Sequence, residues 1–226
     1  MSRLIVLVEG QTEQTFCEEL LYPWLGDYET WGPTKLDPSG VQQDRSGRGG
    51  HAHRFRIIER DLERLLRGPF DVVTTMLDLY HLPKDFPGMA EAERIPDPIR
   101  RAEHLERALY EHLGSPRQFL PNLLIQEFEA VLFSSPTVLA STKYLQQEVG
   151  AEMRAVAEAF ETPEQINHDN PPGLRLCESS ERHGARYQKP LQGCLIALEV
   201  GLEPMRERCA HFASWLAELR KRASRQ

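Results

Sequence analysis

The chain has 226 residues, 40% of them hydrophobic and 27% charged, with a net charge of −7. Such a composition is ordinary for a globular protein and allows one sizeable core, with at most a small appendage. It argues against a broadly basic nucleic-acid-binding protein, and no apolar run approaches the roughly 18 residues of a membrane span.

The N-terminus enters a strand directly, with no signal peptide ahead of it. Leu4–Val8 (LIVLV) is an unbroken apolar run, the pattern of a strand buried on both faces of a parallel sheet. Glu9 and Gly10 end it. Residues 12–25 predict a helix, with Phe16, Leu20, Leu21 and Trp24 near helical spacing. Residues 31–36 predict a second strand, weakened by Pro33. Residues 39–53 (SGVQQDRSGRGGHAH) predict a polar, glycine-rich loop. Residues 54–67 predict an amphipathic helix with Ile57, Ile58, Leu62, Leu65 and Leu66 on one face. The next strand covers residues 70–77, with Asp78 at its end. A loop through Pro83, Pro87 and Gly88 leads to a charged helix over residues 98–113. Residues 122–125 are short and apolar, and EFEAVLFSS after them turns helical. Strands separated by helices predict right-handed crossovers and a mostly parallel sheet.

From Pro136 onward the pattern is helical. One or two helices are expected between Leu139 and Phe160. An irregular polar stretch follows from Pro163 to Tyr187, around Asn170-Pro171-Pro172-Gly173, and helix resumes from Pro190 to Ala223. The expected organisation is an α/β core over 1–135 and a helical C-terminal extension over 136–226 packed on it. Cys17, Cys177, Cys194 and Cys209 show no CxxC pairing, which predicts free thiols in a reducing cytoplasm and speaks against zinc.

Each buried strand ends in a carboxylate or meets one: Glu9, Asp78 and Glu127, with Glu129 two residues further. Open α/β sheets bind ligands at the carboxyl ends of their strands. Carboxylates that converge there repel each other, and a divalent cation neutralises them. Oxygen donors favour Mg2+ or Mn2+ over zinc and suit phosphoryl chemistry. The competing reading makes these acids helix caps or first-turn residues favoured by the helix dipole. Glu13, on the first turn of the first helix, is open to both readings, as a substrate-side residue or a cap. Arg45, Arg48, His51, His53, Arg54 and Arg56 surround the glycine-rich loop. They suit a grip on phosphates, Arg48, His51 and Arg54 above all, and equally a solvated loop. His81, three residues after Asp78, is a ligand, a proton shuttle or an ordinary loop histidine.

Five motifs carry a family resemblance. VEGQTE (8–13) is similar to the opening motif of Toprim domains. TTMLDLYHLPKDFPG (74–88), IQEFEAVLF (125–133), PEQIN (163–167) and RCAHFASWLAEL (208–219) resemble the bacterial Toprim-like family labelled domain of unknown function 4276. The resemblance spans nearly the whole chain. It implies a mostly parallel four-stranded sheet flanked by helices. That family includes the Toprim effector of PARIS anti-phage defence systems, a nuclease on transfer RNA restrained by an ATPase partner. On this resemblance Glu9 is the general acid/base and metal neighbour, and Asp78 is the first aspartate of the Toprim DxD motif. Tyr80 stands where the second aspartate belongs, so Glu127 and Glu129 are expected to complete the metal set. Lys189, in YQKP, is expected to stabilise negative charge on phosphate.

The implied function is a Mg2+- or Mn2+-dependent cytoplasmic endonuclease in anti-phage defence, cutting RNA rather than DNA, with an ATPase partner and no membrane. Self-association stays open. Two rivals stand beside it: an inactive Toprim-like scaffold or sensor for an ATPase, which the broken DxD supports, and a nucleotide phosphohydrolase.

Overall fold

The computed structural model describes residues 2–26, 28–36, 54–166 and 169–224. β1 (Ser2–Val8) runs through the middle of a sheet, and Leu4 to Val8 are all buried. Leu4, Val6 and Val8 enter the core on one face, Ile5 and Leu7 on the other. A strand covered on both faces has no polar side to show, which is why its sequence lacks alternation.

Gly10 leads into α1 (Gln11–Phe16), which continues through a π-helical turn at Cys17–Leu21 into α2 (Tyr22–Leu25). β2 (Tyr28–Thr30) and β3 (Thr34–Lys35) then pair in parallel with successive parts of β1. The single strand expected over 31–36 is found only as β3, with β2 lying ahead of that range. Trp31-Gly32-Pro33 divides them, and Pro33 has no N–H to give the ladder.

α3 (Arg54–Leu66) precedes β4 (Val72–Asp78), which pairs in parallel with β1. A 3₁₀ turn at Leu79–His81 follows, then α4 (Met89–Ala92) and α5 (Pro98–His112). The Asp97 carboxylate caps α5 by accepting from the Arg100 N–H at 2.9 Å. β5 (Phe119–Leu120) and β6 (Leu123–Leu124) each pair in parallel with β4. The sheet thus has four tracks, β2/β3, β1, β4 and β5/β6, as expected.

A 3₁₀ helix at Phe128–Ser134 opens the second half. α6 (Pro136–Ser141), α7 (Gln147–Ala159), α8 (Pro172–Arg182), α9 (Cys194–Val200), α10 (Leu202–Arg208) and α11 (Ala210–Ala223) complete the chain. The stretch expected to be irregular contains α8. Pro172 sits in its first turn, where a missing N–H leaves no helical bond unmade.

One face of the sheet packs on α3 and α5 through Ile58, Leu62, Leu105 and Leu109. The other packs on α1, the 3₁₀ helix and the C-terminal helices through Phe16, Phe128, Ile196, Trp215 and Leu216. Several buried polar groups on this side are matched. The Trp215 indole donates to Thr74 Oγ1 at 2.9 Å, and the Tyr28 hydroxyl donates to the Leu219 carbonyl at 2.5 Å. The Glu164 carboxylate accepts from the His211 and Phe212 N–H groups at the start of α11. All four cysteines are free thiols. Among the described residues no helix is long and apolar enough to cross a membrane.

Candidate metal centre

β1 and β4 pair with Val8 opposite Met76, so the residues just beyond, Glu9 and Asp78, emerge side by side at the carboxyl edge of the sheet. The Asp78 N–H donates to Glu9 Oε2 at 3.3 Å. The 3₁₀ turn after β4 folds His81 back, placing its Nδ1 3.3 Å from Asp78 Oδ2. Glu9, Asp78 and His81 each present a ligand atom within 4.8 Å of the other two. Two carboxylates and an imidazole at this spacing suit a divalent cation. Tyr80, where the motif resemblance leads one to expect a second aspartate, is 39% exposed and packs edge-on against the His81 ring at 5.0 Å.

A second group of acids closes the other side of Asp78. Gln126 adopts a left-handed backbone (φ 66°), and its carbonyl accepts from the Tyr80 N–H at 2.7 Å. A side chain in that region costs about 1–2 kcal/mol. The resulting turn brings Glu127 and Glu129 back to the strand ends. Asp78 Oδ1 accepts from the Phe128 N–H at 2.9 Å. Glu127 Oε1 accepts from the Gly173 N–H, in the first turn of α8, at 2.5 Å. A Cβ on Gly173 would lie 2.8 Å from that same oxygen, so only glycine allows the approach.

Lys189 sits at the centre of this second group. Its Nζ lies 2.7 Å from Glu129 Oε2, 3.3 Å from Glu127 Oε2 and 3.8 Å from Asp78 Oδ2. Glu129 is fully buried, and its Oε1 has no hydrogen-bond partner; neither has the Tyr187 hydroxyl, which lies beside Gly193 near that oxygen.

Burial, and then the Asp78 charge, raise the Glu9 carboxyl above its usual range. The same two causes push Glu13 up to about 7. Burial pushes Glu129 up to about 8 against the pull of Lys189. The hydrogen bond to Asp78 raises His81. Burial alone would lower Lys189, but Glu129, Asp78 and Glu127 outweigh it and hold the ammonium firmly protonated.

Of the acids singled out in the sequence, Glu9 and Asp78 meet at the strand ends, while Glu127 and Glu129 gather with Asp78 around Lys189. Glu13 is buried behind them, and its Oε2 accepts from the Gly10 N–H at 2.9 Å, one half of a capping box. Arg45, Arg48, His51 and His53 lie outside the described residues, and Arg54 is placed only as the first residue of α3. Two residues of the site carried weak sequence signals. His81 had only its spacing from Asp78, and Gly173 only its place after Pro171-Pro172.

A cleft of about 260 Å³ opens beside the cluster, lined by Glu9 and His81 and walled by Leu36, Ile57, Ile58 and Leu82. A larger one, about 710 Å³, lies at the opposite end of the strands among Asp71, Arg117, Glu218 and Arg222. Its acids are already paired, Asp71 with Arg3 and Glu218 with Arg222, so it presents no comparable donor set.

Among functionally curated proteins no relative matches the chain. A solved structure, the C-terminal region of the Burkholderia pseudomallei OLD protein, is 18% identical over 99% of this chain and 100% of that one, with a TM-score of 0.42. The family model for the domain of unknown function DUF4276 matches residues 8–220, nearly the whole chain. The protein belongs to the DUF4276 family.

Proposed function

We propose that this protein is a divalent-metal-dependent nuclease that hydrolyses phosphodiester bonds, prefers RNA to DNA, and acts with an ATPase partner in anti-phage defence. The observation that carries the chemistry is the Glu9–Asp78–His81 cluster at the carboxyl edge of a parallel sheet. The preference for RNA and the defence setting are supported by the Toprim-like motif resemblance.

The donor set fits the cation. Glu9, Asp78 and His81 would hold it, and the imidazole makes Mn2+ as suitable as Mg2+. A bound ion there would polarise the scissile phosphate and acidify a water. The remaining work falls to the chain. Asp78 is fixed by the Phe128 N–H, so its position does not depend on the ion. Glu9, whose carboxyl burial and the Asp78 charge raise above its usual range, suits a proton carrier. As the water oxygen bonds to phosphorus, Glu9 takes the water proton. The bond to the leaving oxygen breaks, and that oxygen receives the proton back. The cleft beside Glu9 and His81 gives a flanking nucleotide an apolar wall.

The test is cleavage of transfer RNA, single-stranded RNA and plasmid DNA by the purified protein with Mg2+ or Mn2+, alone and with a neighbouring ATPase and phage trigger. Cleavage of RNA, reduced roughly 10²–10⁴-fold in Glu9→Gln, is expected. Glu9→Gln at the wild-type rate removes Glu9 from its role, and no cleavage of any substrate under any of these conditions overturns the nuclease reading.

A further inference from the structure

We propose that this site takes a single divalent cation, in the Glu9–Asp78–His81 cluster, and that the Lys189 ammonium stands permanently where a second cation would otherwise sit. The inference rests on the metal-dependent reading and adds its stoichiometry.

Asp78 is the hinge of the argument. Its Oδ2 faces His81 Nδ1 at 3.3 Å on one side and Lys189 Nζ at 3.8 Å on the other. The two sides differ in access. The His81 side opens into the cleft of about 260 Å³, through which a hydrated ion can arrive. The Lys189 side is already occupied by the ammonium, on a side chain that is 34% exposed. Glu129 is fully buried there, and Glu127 is fastened by the Gly173 N–H at 2.5 Å.

Charge leads to the same assignment. Asp78, Glu127 and Glu129 converge within 3.8 Å of one point, and a buried convergence of acids needs a cation to persist. Lys189 is that cation, reaching Glu129 at 2.7 Å and Glu127 at 3.3 Å. Glu129 Oε1, buried and without a hydrogen-bond partner, shows how much this pocket depends on the one ammonium. The chain therefore carries one positive charge of its own and leaves one place for a metal.

Metal-stripped full-length protein would be titrated with Mn2+, counting bound ions by calorimetry and by the electron paramagnetic resonance of free Mn2+. Wild type is expected to bind one ion. Lys189→Met keeps the stem and removes the charge, and it is expected to bind two. Lys189→Arg keeps the charge and is expected to bind one, which holds even where the methionine variant does not fold. Two ions on wild type, or one on a folded Lys189→Met, overturn the inference and leave the metal-dependent reading intact. No Mn2+ on wild type overturns that reading itself. A His81→Ala variant that binds Mn2+ as tightly as wild type overturns the placement of the single ion.

Discussion

The two faces of the sheet are covered by different kinds of sequence. One lies under α3 and α5, helices of 13 and 15 residues with a plain apolar stripe. The other lies under a π-turned helix, a 3₁₀ helix and a series of mostly short C-terminal helices, brought from as far as 191 residues away, as Leu219 is from Tyr28. The candidate site straddles their common edge. Its cleft side, with His81, lies over the α3 face, and its lysine side, with Lys189 and Gly173, lies under the C-terminal face. The regular face supplies stability and access. The irregular face supplies the groups that hold the acids together.

The largest expected effect tests whether that division is real. Trp215→Ala removes a buried indole and its bond to Thr74, and should cost about 3–5 kcal/mol in denaturant unfolding. Leu105→Ala on the opposite face should cost about 2–5 kcal/mol. Only the first should also weaken Mn2+ binding, measured by calorimetry on folded protein at low temperature. Equal weakening by both would mean that the two faces form one undivided support for the site.

Gly173→Ala is narrower. Its Cβ would meet Glu127 Oε1 at 2.8 Å and must displace a carboxylate that the helix start now holds. Overpacking of this kind costs about 1–3 kcal/mol, and the melting temperature should fall accordingly. A variant as stable as wild type would show that Glu127 moves aside freely and that the lysine side is softer than its hydrogen bonds indicate. Gln126→Val is a smaller change in the same turn. A β-branched residue in the left-handed region should cost about 1–2 kcal/mol, whereas Gln126→Gly should be tolerated. A harmless valine would mean that the turn can be reshaped without cost.

These residues also mark where the sequence stopped being legible. Leu4–Val8 and residues 70–77 could be read as buried strands because a short, continuous apolar run bounded by glycine, proline or acids fits a strand covered on both faces. Glu9 and Asp78 followed, since parallel strands must bring their carboxyl ends together. The stripe of Ile58, Leu62 and Leu65 likewise announces α3. His81 did not follow, because its role depends on a single 3₁₀ turn after Asp78, and a turn of three residues leaves no periodicity. α8 was missed because Asn170-Pro171-Pro172-Gly173 resembles a break. Those residues start the helix: prolines fit its first turn, and Gly173 admits Glu127. The partnership of Lys189 with Glu127, 62 residues away, is a tertiary fact with no local signature.

The most gradual effect is a slope. Glu13 and Glu129 are raised from 4.5 to about 7 and about 8, so the folded protein keeps protons that the unfolded chain has released. Their contribution to stability is therefore complete below about pH 4.5 and declines as pH rises to about 8. His81, raised from 6.5 by Asp78, declines in the same direction. The depressed acid Glu152, lowered to about 2, loses its contribution only below about pH 4.5 and does not disturb this window. Metal-free protein should thus melt lower at pH 8 than at pH 5.5, by an amount equivalent to about 1–3 kcal/mol. Glu129→Gln, which cannot ionise, should flatten the slope. Saturating Mn2+ should stabilise more at pH 8 than at pH 5.5, because it binds the deprotonated acids. A metal-free protein more stable at pH 8 would mean that Lys189 already neutralises the acids around it completely, leaving them with no proton to lose.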